Sequence, residues 1–490
     1  MASLPHLLGL GSLPHERMNS LSSHLRNWTL ALSLLIAGVW LLRGGKVEQA
    51  KVDSRTEVVL WHFWGGADLE VVRDVVARFN TAQTEYRVRE IAMPGNNLRA
   101  KLFLSAAGGE PPDLINIDDP VVADWYELGL VSSVDEIVSA EEAEKISEQL
   151  FPAARQLSSY SGKLVGICNG LDVRALYFNR SFLEQQGWAV PKTLEQLDQL
   201  NEQVGKLGLS QPRFAFLPTP RRALFFVNLF GGTVWDFASE RPQLDSPAAV
   251  ASLAWLQDYS RRYGAGGVAA YRQSDQSLPG KVFPLLPQAD DQQVGRYVFS
   301  LDGQWRVRDL QAFRKQRAAR GLSSPAFDVI PLPPPSSILA NNSQEPGGWV
   351  NGNVFVFPRG GRTSPGAIAF AKFWIGLSNS QTAAEVAIAG GWIPVTPAVV
   401  SEAKYQAALA ADPIFRQFVQ LASSPQLQPT PVVRGAGYLQ RLLESTAERV
   451  ASDPSLSPEQ ELKAANRQLE DYLQSLSPSR TSTAGKRGGQ

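Results

Sequence analysis

The sequence has little cysteine, little histidine and no excess charge of either sign. Its one cysteine, Cys168, excludes a disulfide within the chain and a metal site built from cysteines. Three of its four histidines precede residue 25, which argues against a histidine-rich metal site. Basic and acidic residues balance at 47 each, so no basic face for nucleic acid is expected. We therefore predict a protein without a metal, a cofactor or a nucleic-acid partner.

Length and aromatic content point to a ligand-binding protein with more than one core. A chain of 490 residues is too long for a single hydrophobic core, so two lobes or domains are the default expectation. Twelve tryptophans are a high number, and several stand beside glycines and carboxylates rather than in apolar stripes. Such positions are typical of aromatic surfaces that contact ligands.

An uncharged apolar run occupies residues 28–42 and is closed by Arg43 and Lys46. It is shorter than the roughly 20 residues of a standard spanning helix, and its flanking cations suit an export signal. No convincing small-residue cleavage site or lipid-carrying cysteine follows it. We predict that residues 1–55 are an export signal or membrane anchor with a polar tether. The rest of the chain is then periplasmic or extracytoplasmic, and residues 477–490 form a disordered tail.

Strand and helix patterns alternate after the tether. Strand-like runs at 57–64, 86–91 and 114–117 are separated by helical patterns at 68–79 and 98–107. This order predicts a parallel sheet, in which ligands lie beyond the carboxyl ends of the strands. Two such ends carry Trp64 with bare glycines and, further on, the carboxylates Asp118 and Asp119.

The stretch 160–197 contains two apolar runs separated by a polar break at Asn169-Gly170, with a lone carboxylate at Asp172. Two strand-like runs in line, around a flexible break, suggest a chain that crosses between two bodies. One buried strand with a bulge is the alternative. A helix should then begin near Ser181 and end near Gly187, and residues 264–293 are predicted to be a surface connection.

Several motifs, in order along 56–475, resemble the carbohydrate-binding solute receptors of ABC importers, the family that includes maltose-binding protein. They are FWGGAD (63–68), AAGGEPPDLINID (106–118), the stretch 160–188, GGTVWD (231–236), LDGQW (301–305), GGWVNGNVFVF (347–357) and GGWIPVTPAVV (390–400). Each motif alone is weak, whereas their common order and spacing are specific.

The resemblance implies an α/β, two-lobed periplasmic-binding-protein-like fold of type II, with three hinge crossings and a ligand cleft between the lobes. Lobe I would comprise 56–171 plus 352–394, and lobe II 172–351 plus 395–476. It also implies a monomeric receptor without enzymatic activity. Such a receptor captures a disaccharide, oligosaccharide or small glycoside by hinge closure and delivers it to ABC permease subunits in the membrane.

Sugars are bound by carboxylates that accept hydroxyl hydrogen bonds and by aromatic faces that cover C–H surfaces. On this chemistry and the resemblance, we predict the following ligand residues: Trp64, Gly65, Asp118, Asp119, Asp172, Trp235, Asp236, Asp302, Trp305, Gly348, Trp349, Trp392 and Tyr438. Asp172 and Trp305 match the family pattern most directly.

Other roles remain open for several of these residues. Trp64 is equally compatible with a core position, and Trp349 and Trp392 with packing between lobes. Asp118 or Asp119 could instead cap the helix that follows. The GGTVWD motif could instead form a plain turn. Arg221 and Arg222 are interpreted as exposed charges, although they could reach the cleft.

Two other functions remain compatible with the sequence. A secreted glycoside hydrolase could pair Asp172 with Asp118 or Asp119, although no pair of strand-end glutamates stands out. The same fold could also bind a non-sugar solute such as an amine, an anion or iron. An anion receptor should gather arginines, lysines or helix-start amides at the strand ends, and an iron receptor should offer tyrosine pairs. The sequence displays neither pattern.

Overall fold

The computed structural model describes residues 53–118, 121–209, 211–276, 283–341, 348–424 and 427–476. The chain divides into two units, 1–55 and 56–490, and the fold described below is that of the second unit. The apolar run 28–42, the predicted ligand residue Asp119 and the tail 477–490 lie outside the described residues.

The strands of the second unit are β1 (Thr56–His62), β2 (Tyr86–Ala92), β3 (Leu114–Ile117), β4 (Val131–Ser132), β5 (Ser159–Tyr160), β6 (Lys163–Leu164), β7 (Ile167–Asn179), β8 (Trp235–Asp236), β9 (Arg241–Pro242), β10 (Phe299–Gly303), β11 (Phe327–Ile330), β12 (Trp349–Pro358) and β13 (Gln428–Pro429). Among the described residues, one mixed sheet has the order β10-β7-β12-β3-β1-β2, with β11 beside β7 and both β4 and β13 beside β12.

The helices are α1 (Ala67–Ala82), α2 (Gly95–Ala107), α3 (Val122–Glu127), α4 (Ala140–Glu148), α5 (Pro152–Ser158), α6 (Arg180–Gln186), α7 (Leu194–Lys206), α8 (Ala223–Leu229), α9 (Pro247–Tyr263), α10 (Ala265–Gln276), α11 (Arg306–Ala319), α12 (Ser336–Asn341), α13 (Ser364–Trp374), α14 (Ser380–Gly390), α15 (Pro397–Val400), α16 (Ala403–Ala411), α17 (Pro413–Ala422), α18 (Ala436–Ser452) and α19 (Pro458–Ser475). Short 3₁₀ turns occur at Val134–Glu136 and Pro220–Arg222.

The predicted parallel sheet is confirmed. β1 pairs in parallel with β2 on one side and with β3 on the other. The helix between β1 and β2 buries its predicted apolar face, which carries Val72, Val75, Val76 and Phe79. Complete burial of such side chains stabilises the fold by about 1.5–3 kcal/mol each. The order of elements therefore places the carboxyl ends of β1 and β3 at the same edge of the sheet.

β7 is a continuous strand, so the prediction of two runs separated by a flexible break is wrong. Its residues Ile167–Val173 pair antiparallel with β12, and Asn169 is an extra, unpaired residue of β7 between the pairs Cys168–Val354 and Gly170–Asn353. The alternative of one buried strand with a bulge is therefore confirmed. Its residues Arg174–Asn179 pair instead with β10 and β11. Asn169 stays in the strand because β12 pairs on either side of it and its carbonyl accepts a hydrogen bond from Trp374 Nε1 at 3.1 Å. The role of β7 as a hinge between two lobes stays a prediction.

Two large hydrophobic cores lie along β7. The first surrounds β1, β3 and β12 and includes Leu60, Ile115 and Phe355. The second lies among α6–α9, α18 and α19 and includes Phe226 and Leu443. The first half of β7 contributes to the first core, whereas Leu176 and Phe178 of its second half belong to the second. The lobe boundaries inferred from the sequence stay a prediction.

The helix after β7 has the predicted limits. The segment 264–293, in contrast, is not the surface connection that was predicted. Gly187 ends α6 with a left-handed φ of 67°, which glycine adopts without steric cost. The predicted surface connection instead contains α10, whose Val268 and Tyr271 are buried against Phe214. Tertiary packing overrides the weak helix propensity of this glycine-rich stretch.

Gly352 provides a test of the contact between β7 and β12. A Cβ atom at this position would lie 2.7 Å from Cys168 Sγ and 2.9 Å from the carbonyl oxygen of Gly170. Overpacking of this kind costs about 1–3 kcal/mol. We expect Gly352→Ala to lower the free energy of unfolding by that amount in chemical denaturation.

Gly205 in α7 is the matched control, since a Cβ atom there meets nothing within 4 Å. We expect Gly205→Ala to raise stability by about 0.5–1 kcal/mol, because alanine is the better helix former. Equal stabilities for the two variants would contradict the close approach of the strands.

Candidate functional site

A cleft of about 540 Å³ lies where the first turn after β1, the end of β3, and strands β7 and β12 come together. Its volume is within the usual range of roughly 300–1,000 Å³ for small-molecule sites. The cleft is closed on its other sides by the start of α11 and by one face of α18. Elements distant in sequence therefore contribute to one concave surface.

Strand alternation sets which residues of β7 and β12 reach the cleft. Asp172 and Arg174 are two residues apart on β7, and Trp349, Asn351 and Asn353 follow the same spacing on β12. Residues at this spacing share one face of a strand. Because the two strands pair, the two sets lie side by side in the cleft.

Asp172 is the acidic group that the structure holds most firmly in the cleft. Its Oδ1 accepts a hydrogen bond from Gln304 Nε2 at 2.9 Å. Gln304 is itself fixed to the backbone of β7, because its Oε1 accepts from the amide of Val173 and its Nε2 also donates to the carbonyl of Leu171, each at 3.1 Å. Burial raises the pKa of Asp172 above its usual range.

Arg174 is a buried cation between two aromatic rings. Its guanidinium carbon lies 4.9 Å from the ring centre of Trp305 and 5.3 Å from that of Trp349. The side chain is only 9% exposed, and its Nε and Nη1 atoms are buried without a hydrogen-bond partner. Burial, followed by repulsion from Arg222, lowers the pKa of Arg174 to about 10.

A tryptophan cluster forms one wall of the cleft. Trp64 stacks on Trp374 with ring centres 5.3 Å apart and on Trp392 with ring centres 5.6 Å apart. Trp64 is only 8% exposed, so most of its surface serves packing. Trp64 and Trp392 nevertheless line the cleft, and ligand contact by either ring stays a prediction.

The structure brings together about half of the residues predicted from the sequence. The predicted residues that line the cleft are Trp64, Asp118, Asp172, Trp305, Trp349 and Trp392. Gly65 and Gly348 adjoin lining residues in the chain. Asp302 stands behind the lining, where its Oδ2 accepts from Arg306 Nε at 2.8 Å and its Oδ1 from the amide of Gly303 at 2.9 Å.

Three predicted residues lie away from this cleft. Trp235 belongs to a separate groove of about 560 Å³. Asp236 holds a turn, since it accepts hydrogen bonds from the amide of Ala238 and the hydroxyl of Ser239. Tyr438 faces α19, where its ring centre lies 4.3 Å from that of Tyr472. The GGTVWD motif thus belongs to a plain turn, which was the alternative to a role in ligand binding.

Sequence reasoning missed several lining residues on helices. Gly437, Gln440, Arg441 and Glu444 of α18 line the cleft at the spacing i, i+3, i+4 and i+7, which marks one helical face. That spacing was readable, but the choice of Tyr438 selected the wrong face. Arg222 also lines the cleft, whereas its neighbour Arg221 is exposed and pairs with Glu448 at 3.3 Å.

Two missed residues form an ion pair at the rim. Asp68, in the first turn of α1, accepts a hydrogen bond from Arg308 of α11 at 2.6 Å. Both side chains are about 30% exposed, at 31% and 29%, so solvent screens the pair. The FWGGAD motif that contains Asp68 was used in the sequence analysis, but only its aromatic and glycine residues were selected.

Two further features bear on the class of protein. Within the described residues, no group of three or more acidic, histidine or cysteine side chains is placed to hold a metal ion. Over the same parts of the chain, no helix combines the length and apolar character that crossing a membrane requires.

An α/β sheet that brings tryptophans, carboxylates and arginines together in one cleft is the architecture of a solute-binding protein. The chain belongs to the bacterial extracellular solute-binding protein family, whose model matches residues 74–415. The family is extracellular, and the chain accordingly acts outside the cytoplasm.

Individual relatives are similar in sequence and fold. A maltotriose-binding protein from Pyrococcus abyssi is 21% identical over 388 residues, which cover 78% of this chain and 74% of that protein. The structure of CpMnBP1 with mannotriose bound has a TM-score of 0.66 and 20% identity, and covers 85% of this chain and 100% of its own. The sugar-binding protein MalE from Xanthomonas citri has a TM-score of 0.66 and 18% identity, with coverages of 86% and 98%. The predicted periplasmic-binding-protein-like fold is confirmed, while its three hinge crossings stay a prediction.

The packing role of Trp64 can be measured. We expect Trp64→Ala to lower the free energy of unfolding by about 3–5 kcal/mol, because it leaves a cavity beside two other tryptophans. Trp305→Ala is the comparison, since Trp305 is only half-buried, and its loss should cost about 1–2 kcal/mol. Equal losses in urea denaturation would contradict the assignment of Trp64 to the core.

Proposed function

We propose that the chain is the carbohydrate receptor of an ABC importer and that its ligand occupies the cleft described above. The observation that carries the proposal is the combination of aromatic rings and fixed hydrogen-bonding side chains in one cleft. A ring face covers the C–H side of a sugar, and carboxylates and amides bind its hydroxyls. Family membership and the sugar-binding relatives support the same conclusion.

Within this proposal, Asp172 accepts hydroxyl hydrogen bonds and Trp305 and Trp349 provide aromatic surface. Asn351 and Asn353 offer both donors and acceptors at the next positions along β12. Gln304 keeps the carboxylate of Asp172 in place before the ligand arrives, which limits the entropy lost on binding. The cleft volume suits a disaccharide, a short oligosaccharide or a small glycoside.

Closure of the cleft would couple binding to transport. In the predicted lobe scheme, Asp68 and Asp124 belong to lobe I. Their partners, Arg308 and the amide of Gly435, belong to lobe II. A ligand that touches both lobes favours the closed form over the open one. The closed form then docks on the permease subunits, and an anchor at residues 28–42 would keep the monomeric receptor near the membrane.

Asp172 and Trp305 should be required for affinity. We expect Asp172→Ala and Trp305→Ala each to weaken binding of the best glycoside by at least about tenfold, since 1.4 kcal/mol corresponds to a factor of ten. The glycoside is first identified by a thermal-shift screen, because ligands raise apparent stability. Calorimetry then measures the dissociation constants.

Asp236→Ala is the matched control, because Asp236 is a carboxylate that lies outside the cleft. It should leave affinity unchanged. Unchanged affinity in both cleft variants would refute the site. Release of hydrolysed product from a bound glycoside would support the hydrolase alternative instead of a receptor.

The ion pair at the rim should affect closure modestly. Asp68→Asn removes the charge that pairs with Arg308, and an exposed pair of this kind contributes about 0–1 kcal/mol, equivalent to at most about fivefold in affinity. We also expect a larger radius of gyration in small-angle scattering of the liganded variant. Asp74→Asn is the control, because Asp74 pairs with Arg78 inside the same helix. Identical behaviour of the two variants would argue against a closing contact.

A further inference from the structure

The guanidinium group of Arg174 forms an ion pair with Asp302 but makes no hydrogen bond to an anion. None of its nitrogens donates a hydrogen bond within the described part of the chain, and two of them are fully buried. The nearest carboxylate oxygen, Asp302 Oδ1, is 3.6 Å from Nη1. That distance is too long for a hydrogen bond, and both oxygens of Asp302 already accept from other donors.

Cation–π contacts only partly offset this burial. A desolvated cation gains less from an aromatic face than a buried ion loses by leaving water. Trp305 and Trp349 therefore orient the guanidinium without replacing its lost hydrogen bonds. Buried charges are normally retained only when they are paired and hydrogen-bonded.

A second cation, Arg222, lines the same cleft. Its side chain makes no hydrogen bond within the described residues, and burial lowers its pKa. The repulsion between Arg222 and Arg174 outweighs the attraction of Arg174 to Asp302 and to Asp172 separately. Two guanidinium groups thus lie close together in a cleft whose lining also carries carboxylates.

Three acidic groups of the cleft accept hydrogen bonds from side chains other than Arg174 and Arg222. Asp68 is bound to Arg308 at 2.6 Å, and Asp172 accepts from Gln304. Glu444 accepts from Gln440 Nε2 at 2.9 Å. The buried N–H donors of Arg174 therefore remain free for an acceptor on a ligand, and Arg222 lines the same space.

We propose that the preferred ligand is an acidic glycoside, whose carboxylate binds Arg174 and Arg222 while its sugar hydroxyls bind Asp172 and the asparagines of β12. This inference rests on the proposed carbohydrate-receptor function and names its substrate class. Arginine is the side chain whose planar donors best match a carboxylate, and hydrogen bonds between two ions are roughly twice as strong as neutral ones. A neutral sugar would offer these donors only uncharged acceptors, which form weaker hydrogen bonds with them.

Calorimetry with matched neutral and acidic disaccharides tests the inference. Maltose is compared with maltobionate, which carries the carboxylate at its open end, and with a glucuronosyl-glucose, which carries it on a ring. We expect at least one acid to bind 30-fold or more tightly than maltose, with an affinity that falls as salt rises. The better acid shows whether the carboxylate belongs to the ring or to the open end.

The variants Arg174→Gln and Arg222→Gln test whether these two arginines cause the preference for an acidic glycoside. Each should lower the ratio of the affinity for the acid to the affinity for maltose by tenfold or more. Arg174→Gln removes a buried charge, and Arg222→Gln provides a second test if that variant does not fold. Arg221→Gln is the matched control, because Arg221 is the exposed neighbour that pairs with Glu448.

Maltose binding as tight as the acids, or an acid preference that survives both arginine substitutions, would overturn the inference and leave the carbohydrate receptor standing. Binding of a non-sugar anion alone, with no glycoside bound, would overturn the proposed function instead. Failure of all these compounds and of the wider glycoside screen to bind would count against both.

Discussion

The antiparallel pairing of β7 with β12 is the constraint on which the rest of the structure depends. It joins the sheet built on β1–β3 to the strands β10 and β11 through a single continuous strand. The pairing also places Asp172 and Arg174 beside the alternating residues of β12 that line the cleft. The close contact requires Gly352, because a side chain there would collide with Cys168. The lone cysteine thus has a packing role, and burial raises the pKa of its thiol to about 12.

The electrostatics of the cleft follow from that pairing. A strand that runs through the middle of a protein buries whatever side chains it carries, and β7 carries both an acid and a base. The acid is stabilised by Gln304, but the base is bordered mainly by aromatic rings. An incompletely satisfied cation is costly to the free protein. Such a cost is typical of functional sites, where a ligand supplies the missing partner.

The elements of the fold were largely readable, because local rules govern them. Thr193 caps α7, Gly187 ends α6, and the strands around α1 have the periods and lengths that the sequence predicts. Predictions failed where distant contacts outweigh local preference. β12 holds Asn169 in a strand, and packing on Phe214 turns a glycine-rich stretch into α10. Only about half of the predicted site residues line the cleft. The ordered motifs identify Asp172 and Trp305, but they give no information on which face of α18 turns toward the cleft.

The sequence by itself determined the class of the protein. The motifs and the alternation of strands and helices depend on residues that are close in sequence. The family and the fold that they indicate are confirmed by the family model and by the similar solved structures. Only the tertiary structure decided that Arg222 turns into the cleft while Arg221 stays outside, and that Arg174 stands between two tryptophans. Burial and charge pairing are properties of surroundings assembled from distant segments. A balanced count of charges along the chain therefore gave no sign that Arg174 is buried without a hydrogen bond.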